Sequence, residues 1–144
     1  MKIAAIDYGD ARTGVAISDM TGSHVGETAV IASWNAENAA DEIAALCRAR
    51  GVERIVVGRP LNMNGTAGER AEKAAAFAEA LSARTGLPVD LWDERLTSVD
   101  ANRILSDAGK KRAKQRARVD AVAASLILEG YLGFLRSKRG DKPC

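Results

Sequence analysis

The sequence predicts a single α/β domain built on a mixed five-stranded sheet flanked by helices. Strands 1 to 3 form an antiparallel meander, and strands 4 and 5 lie parallel to strand 1. Three observations predict this. Three strand-like runs follow one another closely at the start of the chain, the hydrophobic period then changes from two to 3.6 near residue 35, and each later strand-like run comes after a helical segment. At 144 residues the chain can close one core but cannot supply two lobes.

Residues 2–7 are a short apolar run ending in Asp7, and residues 13–18 a second run in which Val15 and Ile17 alternate with smaller side chains. Tyr8-Gly9-Asp10 between them reads as a turn. Residues 25–31 supply the third strand after the turn-like Asp19-Met20-Thr21-Gly22-Ser23. Asn35 can cap a helix on which Ala39, Ile43, Leu46 and Cys47 share one face, and Gly51 can end it in a left-handed conformation. Residues 53–57 read as a buried strand, 58–68 as a polar loop, and 68–84 as an alanine-rich helix closed by Gly86. Glu69 and Lys73 form an i, i+4 pair on its wet face.

Residues 88–92 are the fifth strand. Thr97 with Asp100 makes an approximate capping box for a helix to about residue 108, which Gly109 ends. A basic segment follows, and residues 119–135 close the fold as a helix with Val122, Ala123, Leu126 and Ile127 turned inward. Right-handed crossovers make strands 4 and 5 parallel to strand 1, with strand 2 antiparallel to it. The domain is expected over residues 1–136, with 137–144 a basic tail.

Composition narrows the function. Apolar residues make up 47% and aromatics 4%, so the helices are expected to pack closely over small side chains. No run approaches the length of a membrane span, and the chain opens on strand-like residues instead of a charged leader, so a soluble cytoplasmic protein without a membrane role is expected. Cys47 and Cys144 form no C-x-x-C, and His24 is the single histidine, which argues against thiol and zinc chemistry. Trp34, Trp92 and Tyr131 are expected in packing roles.

The net charge of +2 conceals an asymmetry. Residues 1–100 hold 10 Lys/Arg and 15 Asp/Glu, whereas residues 101–144 hold 11 Lys/Arg and 4 Asp/Glu. An acidic front and a basic rear suit a protein that gathers carboxylates in one place and meets a polyanion in another.

Asp7 ends strand 1, Asp93 and Glu94 end strand 5, and Asp120 opens the last helix. In a parallel arrangement Asp7 and Glu94 emerge at the carboxyl edge of the sheet, where open α/β sheets bind ligands. Asp120 joins them if the last helix starts there. Taken singly, these acids suit a turn, a surface ion-pair cluster and a helix dipole. Together they would repel one another unless a hard dication neutralises them, and oxygen-only ligands suit Mg²⁺ or Mn²⁺. Such ions support in-line displacement at a phosphodiester. Asp10, Asp19, Asp41, Glu53 and Asp107 occupy turn or helix-surface positions and are assigned no chemistry.

Asp7-Tyr8-Gly9, Arg12-Thr13-Gly14-Val15-Ala16, Gly58-Arg59-Pro60-Leu61-Asn62-Met63-Asn64-Gly65, Asp93-Glu94-Arg95-Leu96-Thr97 and Asp120-Ala121-Val122-Ala123-Ala124 with Ile127-Leu128 resemble the YqgF-type family. That family is described as pre-16S rRNA nucleases and as Holliday junction resolvases. The resemblance runs from about residue 2 to 133 and implies an RNase H-like fold, with Asp7, Glu94 and Asp120 as catalytic metal-binding carboxylates. Strand alternation leaves Asp93 a competitor of Glu94. Ala11 stands where many relatives carry a basic residue, which leaves Arg12 as the cation of that turn.

The loop over 58–68 follows strand 4 to the same edge, and its Asn62 and Asn64 can bond phosphate, sugar or base. It lacks the ending of a Walker A loop, and the chain has no G-x-G-x-x-G, so nucleotide cofactors are not indicated. Lys110, Lys111, Arg112, Lys114 and Arg116 precede Asp120 in a basic run suited to a nucleic-acid backbone, and Arg95 adjoins the strand 5 acids. A metal-dependent nuclease acting on structured RNA in 5′-end maturation of pre-16S rRNA is therefore expected, the RNA following from the resemblance alone. A resolvase of branched DNA uses the same acids and favours a dimer; a non-catalytic nucleic-acid-binding protein is the third reading. Monomer and homodimer stay open. An actin-like ATPase shares the Asp-x-Gly hairpin but needs two lobes.

Overall fold

A computed structural model describes residues 1–22, 24–60, 64, 66, 68–93 and 112–138, with side chains omitted for 112–121, 137 and 138. The strands are β1 (Ile3–Asp7), β2 (Arg12–Ser18), β3 (Val25–Ala32), β4 (Arg54–Arg59) and β5 (Val89–Asp93). They form one sheet in the order β3-β2-β1-β4-β5. β1 pairs antiparallel with β2 and parallel with β4, and β4 pairs parallel with β5. The mixed sheet expected from the sequence is the one observed.

Helices α1 (Ala36–Arg50) and α2 (Glu69–Thr85) start and stop where local chemistry requires. The Asn35 side chain accepts a hydrogen bond from the Asn38 N–H, and Gly51 and Gly86 close the two helices at φ of 70° and 69°. That left-handed backbone carries little strain only for glycine. The predicted Glu69–Lys73 pair forms at 3.4 Å. The predicted helix over 97–108 lies outside the described residues, as does the tail beyond residue 138.

The last helix, α3 (Arg112–Lys138), departs from expectation. It begins seven residues before residue 119, so the basic positions 112, 114 and 116 belong to the helix and not to a loop ahead of it. Arginine, lysine, glutamine and alanine are all good helix formers, and without an apolar period they gave the pattern no starting point. Its buried face also differs. Leu126 and Ile127 are buried as expected, but Ala124, Leu128, Tyr131 and Leu132 join them, while Val122 and Ala123 are half-buried. This stretch is apolar almost all round, so periodicity alone does not select the face.

Strand alternation divides the core in two. Ala4, Ile6, Val15, Ile17, Ile55 and Val57 face α1 and α2, packing on Ile43, Cys47, Phe77 and Leu81. Ile3, Ala5, Ala16 and Val56 face α3, packing on Ala124, Ile127, Leu128 and Tyr131. Ala4, Ala5, Ala16, Ala39, Ala40 and Ala124 are almost fully buried, so small side chains let the layers approach closely. Burial pushes the Cys47 thiol up to about 11, which keeps it protonated and unreactive.

At the starts of the parallel strands a polar cluster joins sheet to helix. The Tyr131 hydroxyl donates to Asp90 and accepts a hydrogen bond from Arg54 Nη1 at 3.0 Å, while Arg54 also bonds Asp90 at 3.3 Å. Burial, with the bond to Asp90, raises the Tyr131 hydroxyl above its ordinary value. Trp92 meets the Tyr131 ring edge-on at a centroid distance of 5.9 Å.

Candidate active site

The carboxyl ends of β1, β4 and β5 lie along one edge of the sheet, and Asp7 and Asp93 are the last residues of their strands. Alternation assigns them to opposite faces. Asp7 shares its face with Ile3 and Ala5, the side covered by α3. Asp93 has the parity of Val89, which packs on the α1/α2 side, and its register partner is Arg59.

Asp7 is half-buried and its register partner on β2 is Gly14. Arg12 begins β2 two residues before Gly14, on the same face as Asp7. Strand alternation thus puts a cationic and an acidic residue on one face at the β1–β2 turn. The turn itself is tight: a Cβ on Gly9 would collide with the Arg12 carbonyl oxygen, so only glycine fits there.

The remaining predicted positions divide as follows. Asp120 lies within α3, four residues before the fully buried Ala124, with its side chain outside the described residues. Arg112, Lys114 and Arg116 occupy the first turns of that helix, their side chains likewise outside. Glu94, Arg95, Asn62, Lys110 and Lys111 lie outside the described residues altogether. Asn64 is described, and its Oδ1 accepts hydrogen bonds from the Thr66 N–H and hydroxyl at 3.1 and 2.7 Å, so this oxygen shapes the loop. Among the described residues no three His, Cys, Asp or Glu side chains gather as a metal site.

Trp34 corrects its expectation. It is 84% exposed, on the connection between β3 and α1, and not packed in a core. Asn35 opens the helix one residue later, and with the capping residue spent on backbone bonds the indole before it is left at the surface. Tyr8 escaped notice for the opposite reason. It reads as a turn residue, yet its ring stacks on Phe77 of α2 with centroids 4.4 Å apart.

Comparison with known proteins places this arrangement. The profile of the RuvX family, described as Holliday junction resolvase, matches residues 1–133. The chain belongs to the RuvX family. A RuvX relative from Halothermothrix orenii named "Putative pre-16S rRNA nuclease" is 43% identical over 140 residues, covering 97% of this chain and all of that protein. A protein of the same name from Pelotomaculum thermopropionicum is 44% identical over 146 residues, covering 99% and 95%. Among solved structures, T. thermophilus RuvC in complex with a Holliday junction substrate superposes with a TM-score of 0.59 at 18% identity, covering 98% and 97%. The fold is RNase H-like, as the sequence motifs implied.

Proposed function

We propose that this RuvX protein is a metal-dependent nuclease that hydrolyses phosphodiester bonds in structured RNA, in 5′-end maturation of pre-16S rRNA, with Asp7, Glu94 and Asp120 as its metal-binding carboxylates. The observation that carries the reading is the position of Asp7, half-buried at the carboxyl end of the central strand, on the face covered by α3.

Two further features support the trio. Asp93 has the parity of the α1/α2 face, and the same alternation carried one residue further favours Glu94 as Asp7's partner. Tyr131 of α3 lies at the strand starts, and the ~16 Å of helix between positions 131 and 120 matches the ~17 Å rise along β4. That length supports Asp120 at the strand ends, one turn before buried Ala124.

The donor set is oxygen only, which fits Mg²⁺ or Mn²⁺. Such an ion supplies Lewis-acid stabilisation for charge developing on the phosphate. The chain's own residues do the rest: Arg12 holds a phosphate beside Asp7, Asn62 and Asn64 bond the backbone from the β4 loop, and Arg95, Lys110, Lys111, Arg112, Lys114 and Arg116 bind flanking phosphates. Action in the cytoplasm fits this substrate, and no described helix is long and apolar enough to cross a membrane.

The test is cleavage of a precursor rRNA fragment with Mg²⁺ or Mn²⁺, lost in Asp7→Asn, Glu94→Gln and Asp120→Asn. A second reading, resolution of branched DNA, is favoured by the description of the matching family. A four-way DNA junction assayed alongside separates the two. Symmetric junction cutting in preference to RNA cleavage replaces the first reading with the second, and metal-independent binding without cleavage of either defeats both.

A further inference from the structure

On the α1/α2 side of the same edge lies a cavity of about 310 Å³ lined by Tyr8, Asp10, Trp34, Glu37, Lys73 and Phe77, among others. Its size is at the small end of ligand cavities, roughly 300–1,000 Å³. The walls are aromatic on two sides. Tyr8 stacked on Phe77 forms one, and exposed Trp34 the other. Trp34 is not on a loose tip, because the adjacent Ser33 N–H donates to the Ala11 carbonyl at 3.0 Å and Asn35 caps α1. An indole at the surface on an anchored backbone is an exposed apolar surface that no core cluster among the described residues includes.

The polar groups add direction. Asp10 and Glu37 bring carboxylate acceptors to the cavity, and Lys73 bridges Asp10 and Glu69 at 3.4 Å to each. An adjoining cavity of about 230 Å³ is lined by Tyr8, Gly9, Asp10, Arg70 and Lys73, which brings two cations next to the aromatic walls. Aromatic faces take the flat surface of a base, carboxylates accept from its amino group, and cations suit the phosphate that follows. Phosphate alone would be repelled by Asp10 and Glu37.

We propose that this cavity binds one unpaired, amino-bearing nucleobase of the nucleic-acid strand, stacked against Trp34 and the Tyr8–Phe77 pair, with its flanking phosphate at Arg70 and Lys73. The proposal rests on the nucleic-acid reading of the function and extends it. Tyr8 directly follows Asp7, so a strand crossing the β1–β2 turn would place one nucleotide in this cavity and a neighbouring phosphate on the Asp7 face. The subsite would select single-stranded segments beside the cleavage position.

Binding is measured without divalent metal, in chelator, so that it does not depend on catalysis. Oligocytidylate of about eight nucleotides is titrated while tryptophan fluorescence is followed, with Trp34→Phe showing which part of the signal belongs to Trp34. Saturable quenching of Trp34 is expected, and anisotropy of a fluorophore-labelled strand should show Trp34→Ala weakening affinity by roughly 5- to 150-fold, the range for a lost base–aromatic stack. Oligouridylate, which carries a carbonyl in place of the cytosine amine, should bind roughly ten-fold more weakly, and Glu37→Gln should shrink that difference. An abasic strand quenching as well as oligocytidylate, or equal binding of the two pyrimidines to the wild type, overturns the proposal. If RNA and DNA cleavage both fail while Trp34 quenching persists, the nuclease reading falls and the base subsite stands; cleavage with no quenching sinks the subsite alone.

Discussion

The two ends of the parallel strands β1, β4 and β5 are built in opposite ways. At their starts, Arg54, Asp90 and Tyr131 bond one another and tie α3 to the sheet, so charge there is engaged in structure. At their ends, Asp7 shares one face with Arg12, and Tyr8, Trp34, Arg70 and Lys73 line cavities on the other. The same strands carry polar residues at both edges. What separates the two edges among the described residues is what they carry: Tyr131 of α3 ties the first to the sheet through Arg54 and Asp90, and the second carries open cavities on its α1/α2 side.

Breaking the open edge should have the larger effect on activity. Asp7→Asn removes a proposed metal ligand and is expected to lower cleavage at least about 100-fold, since even outer partners of metal ligands cost 10–100-fold. Its thermal melt should stay within a few degrees of the wild type. A variant that cleaves normally would place the chemistry elsewhere. Core packing beneath α3 is next: Ile127→Ala, at a site 1% exposed, should destabilise the fold by about 2–5 kcal/mol in denaturant unfolding.

The closed edge should respond in stability alone. Tyr131→Phe deletes a donor to Asp90 and an acceptor for Arg54, and a loss of about 1–2 kcal/mol is expected with cleavage unchanged. The raised Tyr131 hydroxyl also carries a pH signature. The folded state holds this proton more tightly than the unfolded chain, so its contribution is intact below pH 10 and is lost as pH rises above it. Wild-type stability should therefore fall more steeply above pH 10 than that of Tyr131→Phe; parallel profiles would show that the hydroxyl is not linked to folding.

The smallest effects belong to exposed ion pairs away from both edges. Glu27→Gln, which breaks the Arg50–Glu27 contact at 2.8 Å, should change unfolding free energy by less than about 1 kcal/mol. Cys47 should resist thiol reagents near pH 8 in a Cys144→Ser background and react only once the chain is unfolded. Labelling of native protein at the rate of a free thiol would contradict its burial.

Much of this was legible in the chain because the signals are local. Asn35, Gly51 and Gly86 bound their helices through caps and left-handed backbone, and the change from a two-residue to a 3.6-residue period separated the first three strands from α1. The motifs around Asp7 and Asp120 were enough to imply the RNase H-like fold that the comparisons show. Less legible were the features without a local signature. The start of α3 was hidden in a basic stretch that suits helix and loop alike, and its buried face among side chains that are apolar all round.

The sequence by itself determined the order and direction of the strands, because crossover handedness and period leave few alternatives. It also determined that Asp7 ends the central strand. Only the tertiary structure decided which face each edge residue occupies, that Asp93 opposes Asp7 across the sheet, and that Trp34 stands exposed beside the Tyr8–Phe77 stack. Those outcomes depend on register and on contacts between α1, α2 and the β1–β2 turn, residues far apart along the chain whose proximity no local period encodes.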